Sequence, residues 1–294
     1  VGLEVRSAEF AGHDTVRLSA GGLRAFVATG FGPRVVGLEA DDSGNLFAVL
    51  PDAWLPAGDG ARFHFRGGHR LWCAPEDPAS TYRPDDAPVD VHVSGAGVRV
   101  TGPVDPLTGI RRSIELRATV GDGLEVRHVV RNAGNAPRRL APWAITQLPT
   151  GGRAWLPLGG DGPETGSPLP DRLLVLWPYT DVADRRIRVG NGAVEMVVRP
   201  RRGGAPHRMK LGASGRGGRL AYLRNGWLFE KRHVAAGPFA DLGAAAQVYA
   251  DERFVELETL GPLVELAAGD EAIHVETWTV SRAAEDDVRS GFAA

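Results

Sequence analysis

Cysteine is almost missing from this chain of 294 residues: Cys73 stands alone. One thiol excludes an internal disulfide and a multi-cysteine metal cluster. Beside Trp72 it is either a reactive thiol or, more simply, a small buried hydrophobe. No run approaches the roughly 20 apolar residues that a membrane-spanning helix needs. Nor does a basic region lead into an apolar core after Val1, so no secretory leader is read and a cytoplasmic location is expected. Neither charge predominates, since 34 Lys and Arg against 36 Asp and Glu leave a formal net charge of -2. That balance gives no broad attraction to nucleic acid or an anionic membrane. The basic, glycine-rich stretch 201–218 has no GxxxxGK[ST] arrangement, so a nucleotide phosphate loop is not expected. A long amphipathic helix is absent too.

What the chain has is punctuation. Its 39 glycines and 21 prolines are spread along the whole length, which suits many short strands joined by turns. LEVRSAEF, DTVRLSA, LRAFVAT and RVVGLEA read as successive strands before a DDSGN turn. RRSIELRATV and LEVRHVVRNAG flank a Gly-Asp-Gly turn and read as a hairpin. In the second of these, His128 shares a face with Leu124, Val126 and Val130, the position of a core histidine. The section 153–190 is irregular and reads as an excursion over a sheet. With no repeat and no linker, the expectation is one all-β domain, an antiparallel β-sandwich over 1–294.

Two stretches concentrate chemistry. In FVELETLGP (254–262), Val255 and Leu257 point one way while Glu256, Glu258 and Leu260 point the other. Two carboxylates on one face form either a solvated edge or a site where burial raises a pKa. Lys231, Arg232, Asp241, His274 and Glu276 flank them in sequence. The second stretch, residues 61–88, mixes His, Arg and aromatics. There FHF fits a strand, and the following glycines and prolines imply an irregular loop. Arg66, His69 and Arg70 suit a polar ligand, and Trp72 either stacks on a sugar face or fills the core. Arg34 is either a surface cation or a group reaching a cleft. Trp143, Thr146 and Gln147 in LAPWAITQL line a pocket or pack, and Lys210 stands out between two apolar neighbours.

Together FGPRVVGLEADDSGNLF, RGGHRLWCAPE, LEVRHVVRNAG, LAPWAITQL and FVELETLGP resemble the galactose mutarotase-like superfamily. The likeness is greatest to a bacterial branch marked by GGHRLW and ELETLGP segments. It implies a large two-sheet sandwich that binds carbohydrate on a concave sheet, and aldose 1-epimerase-like isomerase activity. The family's general base matches Glu258, between Leu257 and Thr259, and its hydroxyl-binding arginine corresponds to Arg70 or Arg66. The window LAPWAITQL lacks the family's acid histidine, which makes His69 the first substitute, with His128 and His274 behind it. Asp241, Lys231, Glu256, Trp72 and Trp143 complete the expected sugar site. No organic cofactor is expected, because acid–base exchange needs none; a metal held by His and carboxylates from separate strands stays open. The alternatives are a non-catalytic carbohydrate-binding protein, or a lyase, isomerase or cyclase for another metabolite.

Overall fold

A computed structural model describes residues 3–57, 60–159, 168–199, 208–216 and 218–292. Parts of the 153–190 excursion and of the basic stretch 201–218 therefore lie outside the described residues. In chain order the strands are β1 (Glu4–Phe10), β2 (His13–Ala20), β3 (Leu23–Ala28), β4 (Arg34–Ala40), β5 (Val49–Pro56), β6 (Arg62–Ala74), β7 (Asp90–Ser94) and β8 (Gly97–Thr101). There follow β9 (Ile110–Ala118), β10 (Gly123–Asn132), β11 (Arg138–Pro149), β12 (Gly152–Pro157), β13 (Leu174–Leu176), β14 (Ile187–Val189) and β15 (Ala193–Val198). The last are β16 (Met209–Ala213), β17 (Arg219–Arg224), β18 (Trp227–His233), β19 (Ala246–Ala250), β20 (Phe254–Leu260), β21 (Val264–Leu266) and β22 (Glu271–Arg282), before a short helix α1 (Glu285–Ser290).

Two antiparallel sheets result. One of twelve strands runs β1-β2-β3-β4-β6-β11-β20-β19-β16-β13, with β5 and β21 paired at its margins. The other has ten, in the order β14-β15-β12-β17-β18-β22-β10-β9-β8-β7. The expected hairpin about Gly-Asp-Gly is β9 and β10, with Leu124 opposite Ala118. Between the sheets lies the main core. Val255 and Leu257 of β20 meet Leu124, Val126 and Trp278 there, while Phe254 and Leu260 pack with Trp72 and Trp143 on the far face of the first sheet. The alternation read in FVELETLGP is thus the division between core and outer face.

In one respect the structure differs from expectation. The glycine pair does not end a strand: β6 runs through it to Ala74. Arg66, Gly67 and Gly68 take φ values of +57°, +84° and +69°, and at Gly68 a Cβ would stand 2.2 Å from the Val35 carbonyl oxygen. Only glycine lets the strand bend there beneath its neighbour and continue. Arg34, read as a surface or cleft cation, is fully buried. Its Nε donates to Asp85 (2.6 Å) and its Nη1 to the Phe65 carbonyl (2.5 Å), fixing the bend from beneath.

Candidate functional site

Three adjacent strands, β6, β11 and β20, carry the two stretches singled out above. Trp143 faces Leu260 on one side and Trp72 on the other. Arg70 on β6 therefore reaches Glu256 across β11, with Nη2 donating to Oε1 at 2.8 Å. Gln147 Nε2 donates to the same oxygen at 2.9 Å, so Oε2 is committed to neither. The Arg70 guanidinium lies 4.2 Å from the Trp72 ring centre, and its Nε and Nη1 are buried without partners. Burial lowers its pKa, with Glu256 opposing the shift.

Glu258 sits one turn of the pleat further on and is fully buried. Its Oε2 accepts hydrogen bonds from Lys210 Nζ and from Trp143 Nε1, each at 2.8 Å, while Oε1 has no partner. Burial pushes the carboxyl up, Lys210 pulls it down and Glu256 raises it again, leaving it at about 7. Lys210 in turn lies between two indoles, 4.8 Å from Trp143 and 4.7 Å from Trp177.

Above this floor is a hollow of about 220 Å³ whose wall includes Arg70, Trp72, Trp143, Lys210 and Glu256. Tyr82, from the aromatic-rich stretch 61–88, also lines it, as do Trp177, Tyr179, Arg208, Tyr249 and Arg253, which the sequence did not single out. Trp177 and Tyr179 come from the irregular section, where periodicity gives no signal. Such a wall offers flat apolar faces for a sugar ring and several N–H donors for its hydroxyls. Glu258 is not in the wall; Lys210 and Trp143 stand between it and the space.

His69 and Lys231 are elsewhere. Neighbouring residues on a strand point to opposite faces, so Arg70 faces the hollow and His69 enters the inter-sheet core. His69 Nδ1 meets Thr146 Oγ1 at 2.8 Å and its Nε2 meets His128 Nε2 at 2.7 Å. His128 Nδ1 lies 3.0 Å from the His274 carbonyl, which can only accept, so that nitrogen carries the proton. In the neutral ring His128 Nε2 then accepts, His69 Nε2 donates, and the Thr146 hydroxyl donates to His69 Nδ1. Lys231 Nζ bonds Glu276 Oε1 at 2.7 Å and reaches the carbonyls of Leu257 (3.1 Å) and Ala144 (3.3 Å). His69 thus adds no acid to the hollow.

Ligand atoms of His69, His128 and Glu276 lie within 4.8 Å of one another, near enough to share a metal ion. Their present bonds fit poorly with one. Glu276 Oε1 is engaged by Lys231 and the Thr259 hydroxyl, and Oε2 by Trp278 Nε1, while the Lys231 ammonium would repel a cation. Burial lowers His69 and His274 and takes His128 and His233 to about 4. Burial raises Glu276, but Lys231 and the imidazoles reverse this and hold it below the usual carboxylate range.

Two further candidates are displaced. Arg66 pairs with Asp86 at 2.6 Å and covers Phe31. Asp241 accepts from Gln247 Nε2 at 2.7 Å beside the hollow and is not among its lining residues.

No family model matches the chain, and no curated protein matches it in sequence. Solved structures do match in fold. A galactose mutarotase-like protein from Lactobacillus casei superposes with a TM-score of 0.53 at 12% identity, over 95% of this chain and all of the other. One from Clostridium acetobutylicum gives 0.51 at 11%, over 96% and 99%. A TPR-domain containing protein from Parabacteroides distasonis gives 0.62 at 15%, over 92% of this chain but only 47% of its own length. The fold is therefore the galactose mutarotase-like β-sandwich. Among the described residues no helix is long and apolar enough to cross a membrane.

Proposed function

We propose that the hollow binds a sugar or sugar-like metabolite and interconverts its anomers in the manner of an aldose 1-epimerase. The GGHRLW and ELETLGP segments that suggested a bacterial branch of that superfamily supply β6 and β20, two strands of the hollow. Ring opening removes a proton from the anomeric hydroxyl and delivers one to the ring oxygen as the bond between that oxygen and the anomeric carbon breaks. Lys210 Nζ is the group that meets these oxygens, delivering one proton and recovering the other. Glu258 is the buried base that exchanges protons with it. Arg70 and the uncommitted oxygen of Glu256 hold hydroxyls, and Trp72 and Trp143 receive the ring face. The observation that carries this reading is a wholly buried carboxyl held at about 7, hydrogen-bonded to a lysine in the wall of an aromatic hollow. A group titrating near neutrality can hold or release a proton at little cost.

The zero exposure of Glu258 favours a second reading, in which the hollow binds carbohydrate without turnover. Anomer exchange followed by NMR across aldoses and phosphorylated sugars separates the two. Wild type should exchange at least one of them, and Glu258→Gln should abolish exchange while remaining folded. Binding with no exchange in the wild type would select the second reading.

A further inference from the structure

A second cavity, also of about 220 Å³, opens where the end of β6 meets the starts of β9 and β11. It shares Trp72 with the hollow and is lined by Cys73, Ser80, Thr81, Arg112, Arg138 and Arg139, among others. Arg112 alternates with Ile110 and Ile114, and Arg138 with Leu140, and all three of those apolar residues belong to the inter-sheet core. Arg112 thus occupies a half-buried, inward-facing position at the mouth of the sandwich, and Arg138 stands exposed at its rim.

Arg112 meets the Cys73 thiol in a side-chain hydrogen bond, but its Nε is buried without a partner. The cavity's one carboxylate, Asp77, is engaged, with Oδ1 accepting from the Ala79 N–H (3.2 Å) and Oδ2 from the Ser80 hydroxyl (2.6 Å). Asp105, whose charge reaches Cys73, turns Oδ1 to the Leu107 and Thr108 N–H groups and Oδ2 towards Arg83. A guanidinium drawn inward with a buried, unpartnered Nε–H is costly unless an anion meets it, and its planar fork suits an oxyanion.

We infer that this cavity is an oxyanion-binding site, separate from the hollow, for free phosphate or the phosphoryl group of a small metabolite held by Arg112 and Arg138. Cys73, the sole cysteine, lines it and is a built-in reporter.

The test is calorimetric titration with inorganic phosphate and with a sugar phosphomonoester, alongside the rate of Cys73 alkylation. Wild type should bind phosphate saturably, and binding should slow alkylation. Arg112→Gln and Arg138→Gln should each weaken it about tenfold or more, whereas Glu258→Gln should leave it unchanged. Much stronger protection of Cys73 by the phosphomonoester than by phosphate would assign the site to a metabolite's phosphoryl group; equal protection would assign it to the free ion. If phosphate does not bind saturably, the inference is overturned. It is equally overturned if binding neither protects Cys73 nor responds to Arg112→Gln, since the ion would then sit elsewhere. Circular dichroism of the variants shows whether lost binding reflects lost folding, and the Cys73 readout on wild type stands without them.

Discussion

At the scale of single residues, the proposed chemistry of the hollow rests on Glu258 and Lys210. Burial alone would drive the Glu258 carboxyl well up, and Lys210 is the strongest influence opposing it. Lys210→Met should therefore move its titration above 7, which a ¹³C carboxyl titration by NMR would read directly. Stability follows with a definite sign. With a folded pKa near 7 against an unfolded value near 4.5, the folded state binds the proton more tightly between those limits. Stability at Glu258 therefore falls as pH rises through that window, by up to about 3 kcal/mol. Glu258→Gln should remove this dependence, measured as urea midpoints across the window. Alternation made the shared face of Glu256 and Glu258 legible in sequence. Their different fates were not, because Lys210, 48 residues upstream, decides which one is sealed.

Elements explain why the early glycine-rich stretch was only half readable. As a loop, residues 66–72 would let Arg66, His69 and Arg70 gather around one ligand. As a strand they must separate, with Arg70 and Trp72 to the outer face and His69 and Leu71 to the core. What hides the strand is the run of positive φ from Arg66 to Gly68, which resembles a break until the neighbouring chain is placed over it. Gly68 tests that account, since a Cβ there would meet the Val35 backbone 2.2 Å away. Gly68→Ala should destabilise the fold by more than about 1 kcal/mol and disturb Arg70 with it. The expected signs are a lowered urea midpoint and weakened sugar binding in whatever fraction stays folded.

Across the whole molecule, the two sheets are joined by a layer that sequence disclosed only in part. His128 was legible as a core residue because three apolar neighbours share its face. The grouping of His69 on β6 with Lys231 and His233 on β18 and His274 and Glu276 on β22 was not, since strand pairing and sheet stacking bring those three stretches together. The layer holds four imidazoles neutral around one buried ion pair, which fixes the acid response of the fold. In the unfolded chain each histidine takes a proton near 6.5, whereas His128 and His233 resist until about 4 in the folded protein, and burial lowers His69 and His274 as well. Between those limits the unfolded state binds more protons, so stability falls as pH falls, opposite in sign to the effect at Glu258. Glu276 extends the loss below its unfolded value near 4.5, because Lys231 holds it ionised in the folded state. Four histidines outweigh one carboxyl, so urea midpoints should drop steeply from pH 6.5 towards about 4. His128→Gln should make that drop shallower by the share of one imidazole.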